Sequence, residues 1–406
     1  MSSVDTVVIV GGGLAGATAA FALRERGFEG RVTLVSEEDA APYERPPLSK
    51  AYLRQESTLE QAQVRPIEDY ETLRVDLMRG RRAVTLDPIN RQLNLDDGTN
   101  LGYDAILLAT GAAPRHLGTA RTQLGGVHYL RTATDADAIR SAAATATAIA
   151  VVGGGWIGSE VAASLRQMGH DVTLISSRPR PLEHVLGPDV AEAYRTLHLE
   201  HGVHLATGQV SDVEGEERVD GVRLSDGRRL QADMVVVGIG AVPRLKLALR
   251  AGLATTEGGI AVDEYLRSSV PSIFAAGDVA AAWHPRFGRH IRVEHWDNAI
   301  RQGKAAAANI LGAAEPYARM PYFYSDQFDL GMEYRGFAPQ WGKVVVRGDL
   351  ARREFLAFWL ADGRVIAAMN ANMWDHGREL GRLVASDARV DLARLADPGV
   401  PLAEAA

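Results

Sequence analysis

Two stretches of the chain carry the same succession of apolar and polar positions. From Thr6 to Val35 (TVVIVGGGLAGATAAFALRERGFEGRVTLV) and from Ala148 to Ile175 (AIAVVGGGWIGSEVAASLRQMGHDVTLI), a short β-branched run without polar alternation leads into glycines. A helix-period pattern follows, and then a second apolar run, Val32–Val35 or Val172–Ile175. Uninterrupted apolar strands alternating with helices predict a parallel sheet covered on both faces. Each stretch therefore predicts a β-α-β crossover. A second pair repeats the theme: GYDAILLATG (Gly102–Gly111) and QADMVVVGIG (Gln231–Gly240) each read as a four-residue apolar strand ending in a glycine turn, where backbone can approach a ligand.

The order of these segments nests one unit inside the other. The stretch after Gly111, rich in Pro and Gly, reads as a linker, and Ala241–Pro243 as the return. Near the C-terminus YFYSDQFDLGMEYRG, KVVVRG, EFLAFWL and VIAAMNANMW alternate and carry many aromatics, which predicts an antiparallel sheet with one exposed face. The predicted fold is α/β, with two nested Rossmann-like dinucleotide-binding domains and a C-terminal α+β domain. The expected division is residues 1–113 with 241–320, residues 114–240, and residues 321–406.

Composition narrows the chemistry. The 406 residues are 46% apolar and 23% charged, as in an ordinary folded protein, and the net charge of −7 supplies no global field toward nucleic acid or anionic lipid. There is no cysteine. That excludes disulfides, thiolate-bound zinc, protein-ligated iron–sulfur clusters and any thiolate nucleophile. No basic start with an apolar run and cleavage site is present, and the uncharged stretch Ser141–Ser159 reads as a helix end, a buried strand and a turn, so the sequence points to the cytoplasm. The eleven histidines show no metal spacing. His198, His201 and His204 are expected at the surface, with no metal site. GWIGS lacks the Gly-x-Ser-x-Gly elbow of a serine hydrolase.

In Gly11-x-Gly13-x-x-Gly16 the first glycine permits the tight turn, the second lets backbone approach a pyrophosphate, and the third lets helix and strand pack closely. The phosphate rests on the helix N-terminus, and Glu37, some twenty residues on, is placed to accept from a ribose hydroxyl. Gly153-x-Gly155-x-x-Gly158 passes the same test without the acid: Ser176, Ser177 and Arg178 follow its second strand. Small hydroxyls beside an arginine suit a 2′-phosphate, so NADPH is expected to be accepted; glutamate at Ser176 is expected to favour NADH. Two dinucleotide sites imply one flavin and one nicotinamide nucleotide, with hydride passing between stacked rings.

Across almost its whole length the chain resembles the FAD-dependent pyridine-nucleotide oxidoreductases, and among them the ferredoxin reductases of cytochrome P450 and Rieske oxygenase systems. The resemblance rests on GGGLAG, PYERPPLSK (Pro42–Lys50), LLATG (Leu107–Gly111), YLRTATDADAI from Tyr129, GGGWIGSE (Gly153–Glu160), VVVGIG (Val235–Gly240), SIFAAGDVA (Ser272–Ala280), EHWDNAIRQGKAAAANILG from Glu294, and the SDQ of YFYSDQ. It implies a glutathione-reductase-like fold with FAD at the first glycine loop. Asp278 would bind the ribityl hydroxyls, and Ala15, Arg45, Ala83, Arg131 and Trp296 would line the FAD. Leu14, Ala109, Thr110, Gly111, Gly277, Glu294 and His295 would contribute through their motifs. Trp156, Ile157, Ile239 and Gly240 do so around the second loop.

Lys50 and Glu160 are the candidate catalytic residues. Lys50 would lie beside the flavin ring, and Glu160, in the first turn of its helix, would approach the nicotinamide and pair with Lys50 before the coenzyme arrives. Relatives that use a redox disulfide or a sulfenic-acid cysteine are excluded by composition. The resemblance then implies that the flavin would divide a hydride into single electrons for an outside carrier, expected to be an acidic iron–sulfur ferredoxin. Arg286, Arg289, His290 and Arg292, with Arg301 and Lys304, form a candidate basic docking rim. Tyr322 and Tyr324 stand where the subgroup often has tryptophans, which puts an aromatic relay in doubt. The alternatives are a redox-sensing flavoprotein resembling apoptosis-inducing factor and a rubredoxin reductase.

Overall fold

A computed structural model of the chain describes residues 4–119 and 121–405. Ala120, within the expected linker, lies outside the described residues. The chain divides into two compact units. One takes the chain up to Arg45, then Thr58–Ala113 and Ala241–Arg319; the other takes Pro46–Ser57, Pro114–Gly240 and the chain from Met320 onward.

The first unit is built on a five-stranded parallel sheet in the order Ile273–Ala275, Ala105–Leu108, Thr6–Val10, Arg31–Val35, Val75–Met78. Val7–Val10 and Ala105–Leu108 are buried throughout, as unbroken apolar runs in a doubly covered sheet require. Helix Leu14–Glu25 follows the first strand and packs along helix Trp296–Ile310. Their close approach depends on Gly303, where an added Cβ would lie 2.5 Å from the Ala15 carbonyl oxygen.

The second unit repeats the plan. Its parallel sheet runs His204–Thr207, Val172–Ser176, Ile149–Val152, Met234–Val237, Val127–Tyr129. The two glycine loops leave their sheets alike, with Gly11 N–H donating to Val35 O and Gly153 N–H to Ile175 O, both at 2.8 Å. This hydrogen bond sets Val35 against Ile175, and so Ser36 against Ser176 and Glu37 against Ser177.

The C-terminal segment forms a five-stranded antiparallel sheet in the order Tyr322–Gln327, Leu330–Gly336, Arg364–Ala371, Glu354–Ala361, Lys343–Asp349. The expected exposed face is absent from its central strands. Phe355, Ala357, Trp359 and Met369 join a core with Leu186, Val190 and Tyr194. Leu356, Phe358, Leu360 and Ala368 on the opposite face join Leu380, Leu383 and Leu395. FLAFWL is apolar at every position, so both faces need cover. Helices Pro188–Glu200 and Gly377–Ser386 supply it on opposite sides. Among the described residues no helix is long and apolar enough to cross a membrane.

Candidate functional site

In the first unit, helix Leu14–Glu25 starts from Gly13, which has extended backbone, no side-chain cap and no acid in the first turn. Its leading N–H groups are therefore left for an anion. A Cβ at Gly13 would meet nothing within 4 Å, so a bulky phosphate can approach the backbone there. A Cβ at Gly11 would collide with the Ala109 carbonyl, and one at Gly16 with the Gly11 carbonyl. The turn Gly277–Val279 brings Asp278 beside this loop: Gly277 has φ +78°, and a Cβ there would lie 3.1 Å from Ala15 Cβ. Gln302 holds the turn by accepting from Gly277 N–H at 2.8 Å.

Around the strand ends, Arg45 donates to Glu38 at 2.7 Å, and Tyr43 O–H donates to the same carboxylate. Burial opposes the Arg45 charge, but Glu38, Tyr43 and Asp278 outweigh it and hold the guanidinium pKa above its usual value. Glu37 is exposed and pairs with Arg244. Ala83 opens a strand just after Arg81, whose N–H donates to Ser36 O at 2.9 Å. Thr110 O–H donates to Arg244 O at 3.1 Å, and Gly111 O accepts from Arg244 N–H at 2.9 Å. Glu294, His295 and Trp296 form the entry to helix Trp296–Ile310. Burial pushes the His295 imidazole down to about 4, against the pull of Asp278. Arg131 belongs to the second unit, directly before Thr132, the N-cap of helix Ala133–Ala143.

The second unit offers the same cradle. Helix Trp156–Gln167 starts from Gly155 with no side-chain cap and no first-turn acid, and a Cβ at Gly155 would meet nothing within 4 Å. Gly153 is locked under the Gly238 carbonyl, close to Ile239, and Gly240 has φ +106°. Trp156 packs edge-on against Tyr194 and Phe323, while Ile157 stays exposed. The positions expected to read the coenzyme ribose separate. Ser176 is buried beneath the loop, where a Cβ on Gly154 would come within 2.5 Å of its Oγ, and that Oγ accepts from Arg178 N–H at 3.3 Å. Ser177 and Arg178 are exposed. Ser177, the counterpart of Glu37, is therefore the position at which to test coenzyme choice, and Ser176 has no room for glutamate. Ser177→Glu is expected to raise the NADH over NADPH ratio of kcat/KM on the order of tenfold, measured by steady-state kinetics with each coenzyme.

The second unit also holds a buried carboxylate. Pro46–Ser49 is a 3-10 turn, followed by Lys50. Glu160 is the fifth residue of its helix rather than in the first turn, so a generic charge–dipole role does not account for it. Its side chain is only 4% exposed. Lys50 Nζ lies 2.6 Å from Glu160 Oε2, Ser49 O–H donates to that oxygen at 2.6 Å, and Ser325 O–H donates to Oε1 at 2.7 Å. Ser164 pins the turn to the helix by donating to Ser49 O at 2.6 Å. Lys50 is thus largely withdrawn from solvent, with its side chain 14% exposed. Tyr324 faces it, with Nζ 6.0 Å from the ring centroid. Asp326 sits above its usual pKa through desolvation, with Lys50 pulling it down and Glu160 adding repulsion.

Two family models cover the chain. That for pyridine nucleotide-disulphide oxidoreductases matches residues 5–303, and that for the reductase C-terminal region matches residues 322–406. The chain belongs to the pyridine nucleotide-disulphide oxidoreductase family. Putidaredoxin reductase CamA from Pseudomonas putida is 37% identical to this oxidoreductase, over 100% of this chain and 97% of its own length. The anthranilate 1,2-dioxygenase system ferredoxin–NAD(+) reductase component of Burkholderia cepacia is 40% identical over 98% and 99%. Among solved structures, a chain of the covalent putidaredoxin reductase–putidaredoxin complex matches with TM-score 0.93 and 37% identity, covering 98% of this chain and 97% of that one. FAD and NAD(P)H are the cofactors of this oxidoreductase. The disulphide of the family's description has no counterpart in a chain without cysteine.

The structure adds Ser49, Ser325, Glu38, Tyr43 and Gln302 to the site residues read from the sequence. Ser49, Ser325 and Tyr43 lie inside the quoted motifs, and Gln302 inside EHWDNAIRQGKAAAANILG, so the signal was present but carried no chemistry of its own. In the basic run, Arg289 pairs with Glu257 at 3.1 Å, Arg292 with Glu294, and Arg301 with Asp297 at 3.1 Å. Among the described residues no group of three or more metal-binding side chains forms.

One histidine departs from expectation. His201 and His204 reach solvent, but His198 is fully buried, because it shares the inner face of helix Pro188–Glu200 with Val190, Tyr194 and Leu197. Burial lowers its pKa to about 4; the hydrogen bond to Gln327 opposes this and His201 adds to it. An unfolded imidazole titrates near 6.5, so this group's stability contribution is complete above that pH and is lost as pH falls toward 4. At pH 5 the loss is on the order of 2 kcal/mol. Thermal unfolding at pH 7.5 and pH 5 is expected to differ less in His198→Phe than in the parent.

Proposed function

We propose that this oxidoreductase is a ferredoxin reductase supplying a cytochrome P450 or a Rieske-type oxygenase in the cytoplasm. The reading rests on one observation: two glycine loops in a cysteine-free chain each end on a helix N-terminus left open for an anion. The names of the relatives support it. On this reading residues 1–113 and 241–320 bind FAD, residues 114–240 bind NAD(P)H, and residues 321–406 form the C-terminal domain.

FAD, when bound, accepts two electrons as hydride and returns them singly. The chain's own residues do the positioning. The N–H groups after Gly13 and Gly155 hold the two pyrophosphates, Asp278 takes the ribityl hydroxyls, and Arg45 with Glu38 fences the same site. Glu160 meets the nicotinamide. Lys50 neutralises Glu160 until the coenzyme takes its place.

The ferredoxin is proposed to be acidic and to dock on a rim including Arg289, Arg292 and Arg301. Their own carboxylate partners leave a modest steering field. Arg289→Ala combined with Arg292→Ala is expected to raise the KM for ferredoxin roughly two- to fivefold at low salt and to change it little at high salt.

The test is an anaerobic titration with NADH and NADPH that follows the flavin band, then cytochrome c reduction through an added [2Fe–2S] ferredoxin. A yellow protein that is bleached by coenzyme and turns over at roughly tens per second is expected. A colourless protein would sink the proposal. Slow turnover with a long-lived reduced state would favour the sensor, and turnover only with rubredoxin would favour that carrier.

A further inference from the structure

Strand Tyr322–Gln327 alternates so that Ser325 and Gln327 face the same way, and each is only 2% exposed. Ser325 reaches Glu160; Gln327 reaches His198, whose Nε2 lies 2.9 Å from Gln327 Oε1. Between them, Gln327 Nε2 lies 3.4 Å from Ser325 Oγ. The carboxylate fixes the direction of the whole series. Glu160 only accepts, so the one hydroxyl hydrogen of Ser325 goes to it, and Ser325 must in turn accept. The Gln327 amide therefore turns its NH2 toward Ser325 and its oxygen toward His198, and His198 must carry its hydrogen on Nε2. The other ring nitrogen, Nδ1, has no partner among the described residues, which suits a bare acceptor in a neutral ring.

We propose that His198, Gln327 and Ser325 are positioning residues that anchor Oε1 of Glu160, so that the carboxylate stays in place when Lys50 leaves Oε2. The proposal rests on the reading that Glu160 meets the nicotinamide. The two oxygens are served differently: Oε2 by a flexible ammonium and Ser49, Oε1 by a buried chain of neutral donors all pointing toward it. Beyond Glu160, Lys50 meets Pro46 O at 3.5 Å from its Nζ, the Tyr324 ring and the charge of Asp326. An amide in the chain does not readily pass a proton on, so the chain fixes geometry and carries no proton. The other groups facing Glu160 are Tyr194, whose hydroxyl has no hydrogen-bond partner among the described residues, and Asp326. His201 and Phe328 face His198.

The test uses the FAD-loaded full chain with Ser325→Ala, His198→Phe, the double variant and Glu160→Gln. Stopped-flow reduction by NADH separates the limiting rate from the coenzyme Kd. Ser325→Ala is expected to lower the limiting rate on the order of tenfold with little change in Kd, His198→Phe less so, and the double no more than Ser325→Ala alone. A second readout does not depend on turnover: in long-range 1H–15N spectra, His198, assigned by its loss in His198→Phe, is expected to show the Nε2–H tautomer and to shift in Ser325→Ala although the two residues do not touch. Rates at the parent level with unmoved ring signals, while Glu160→Gln is slow, would overturn the chain and leave the reading of Glu160 standing. Parent rates in Glu160→Gln would overturn both.

Discussion

Gly158→Ala is expected to yield a protein that stays yellow and that neither NADH nor NADPH can bleach. An added Cβ at Gly158 would lie 1.9 Å from the Gly153 carbonyl oxygen. The clash is with main chain, so it is relieved only by moving the loop or the helix start. Either movement turns the Gly155 N-terminus away from the coenzyme pyrophosphate, and a misplacement of about 1 Å can cost on the order of a hundredfold in rate. On the proposed assignment the first unit is untouched and is expected to keep its FAD. Absorbance spectra before and after each coenzyme, with dithionite as the control that bleaches regardless, measure the effect. Gly16→Ala, which collides in the same way with the Gly11 carbonyl, is expected to give the opposite phenotype: a colourless chain with an intact coenzyme loop. Reduction at the parent rate in Gly158→Ala would mean that this loop does not hold the coenzyme.

Lys50→Met is expected to cost about 3–5 kcal/mol, because it strands a carboxylate that is almost fully out of water. Ser49 and Ser325 still donate to Glu160, but hydroxyl dipoles do not replace a cation 2.6 Å away. Glu160→Gln on top of Lys50→Met removes the stranded charge and is expected to recover most of the loss, so the two changes are strongly non-additive. Urea unfolding of the FAD-bound single and double variants checks this. Additive losses would mean that the pair contributes no coupling.

The two parallel sheets were legible because buried parallel strands demand unbroken apolar runs, and TVVIV, AILL, IAVV and MVVV have no other use. The glycine loops were legible because their spacing meets three steric demands at once. The C-terminal sheet was half legible. Its strands could be found, but alternation with aromatics suggested a wet face, when EFLAFWLA already lacks the polar positions that a wet face requires. The burial of His198 lies in its place in the helical repeat with Val190, Tyr194 and Leu197, which the polarity of a histidine obscures. The chain from His198 to Glu160 was beyond reach, since it joins residues from separate elements whose meeting only the packed sheet and helices decide.

The serine after or at the end of each second strand, Ser36 and Ser176, packs against the middle glycine of its loop, where a Cβ on Gly12 or Gly154 would lie 2.3 or 2.5 Å from the serine Oγ. On the proposed assignment, redesign of coenzyme choice is expected to leave Ser176 alone and to act in the two-residue window of Ser177 and Arg178. A library that also randomises Ser176 would mostly return chains with a sunken or tilted loop, and failures of architecture would be mistaken for failures of recognition.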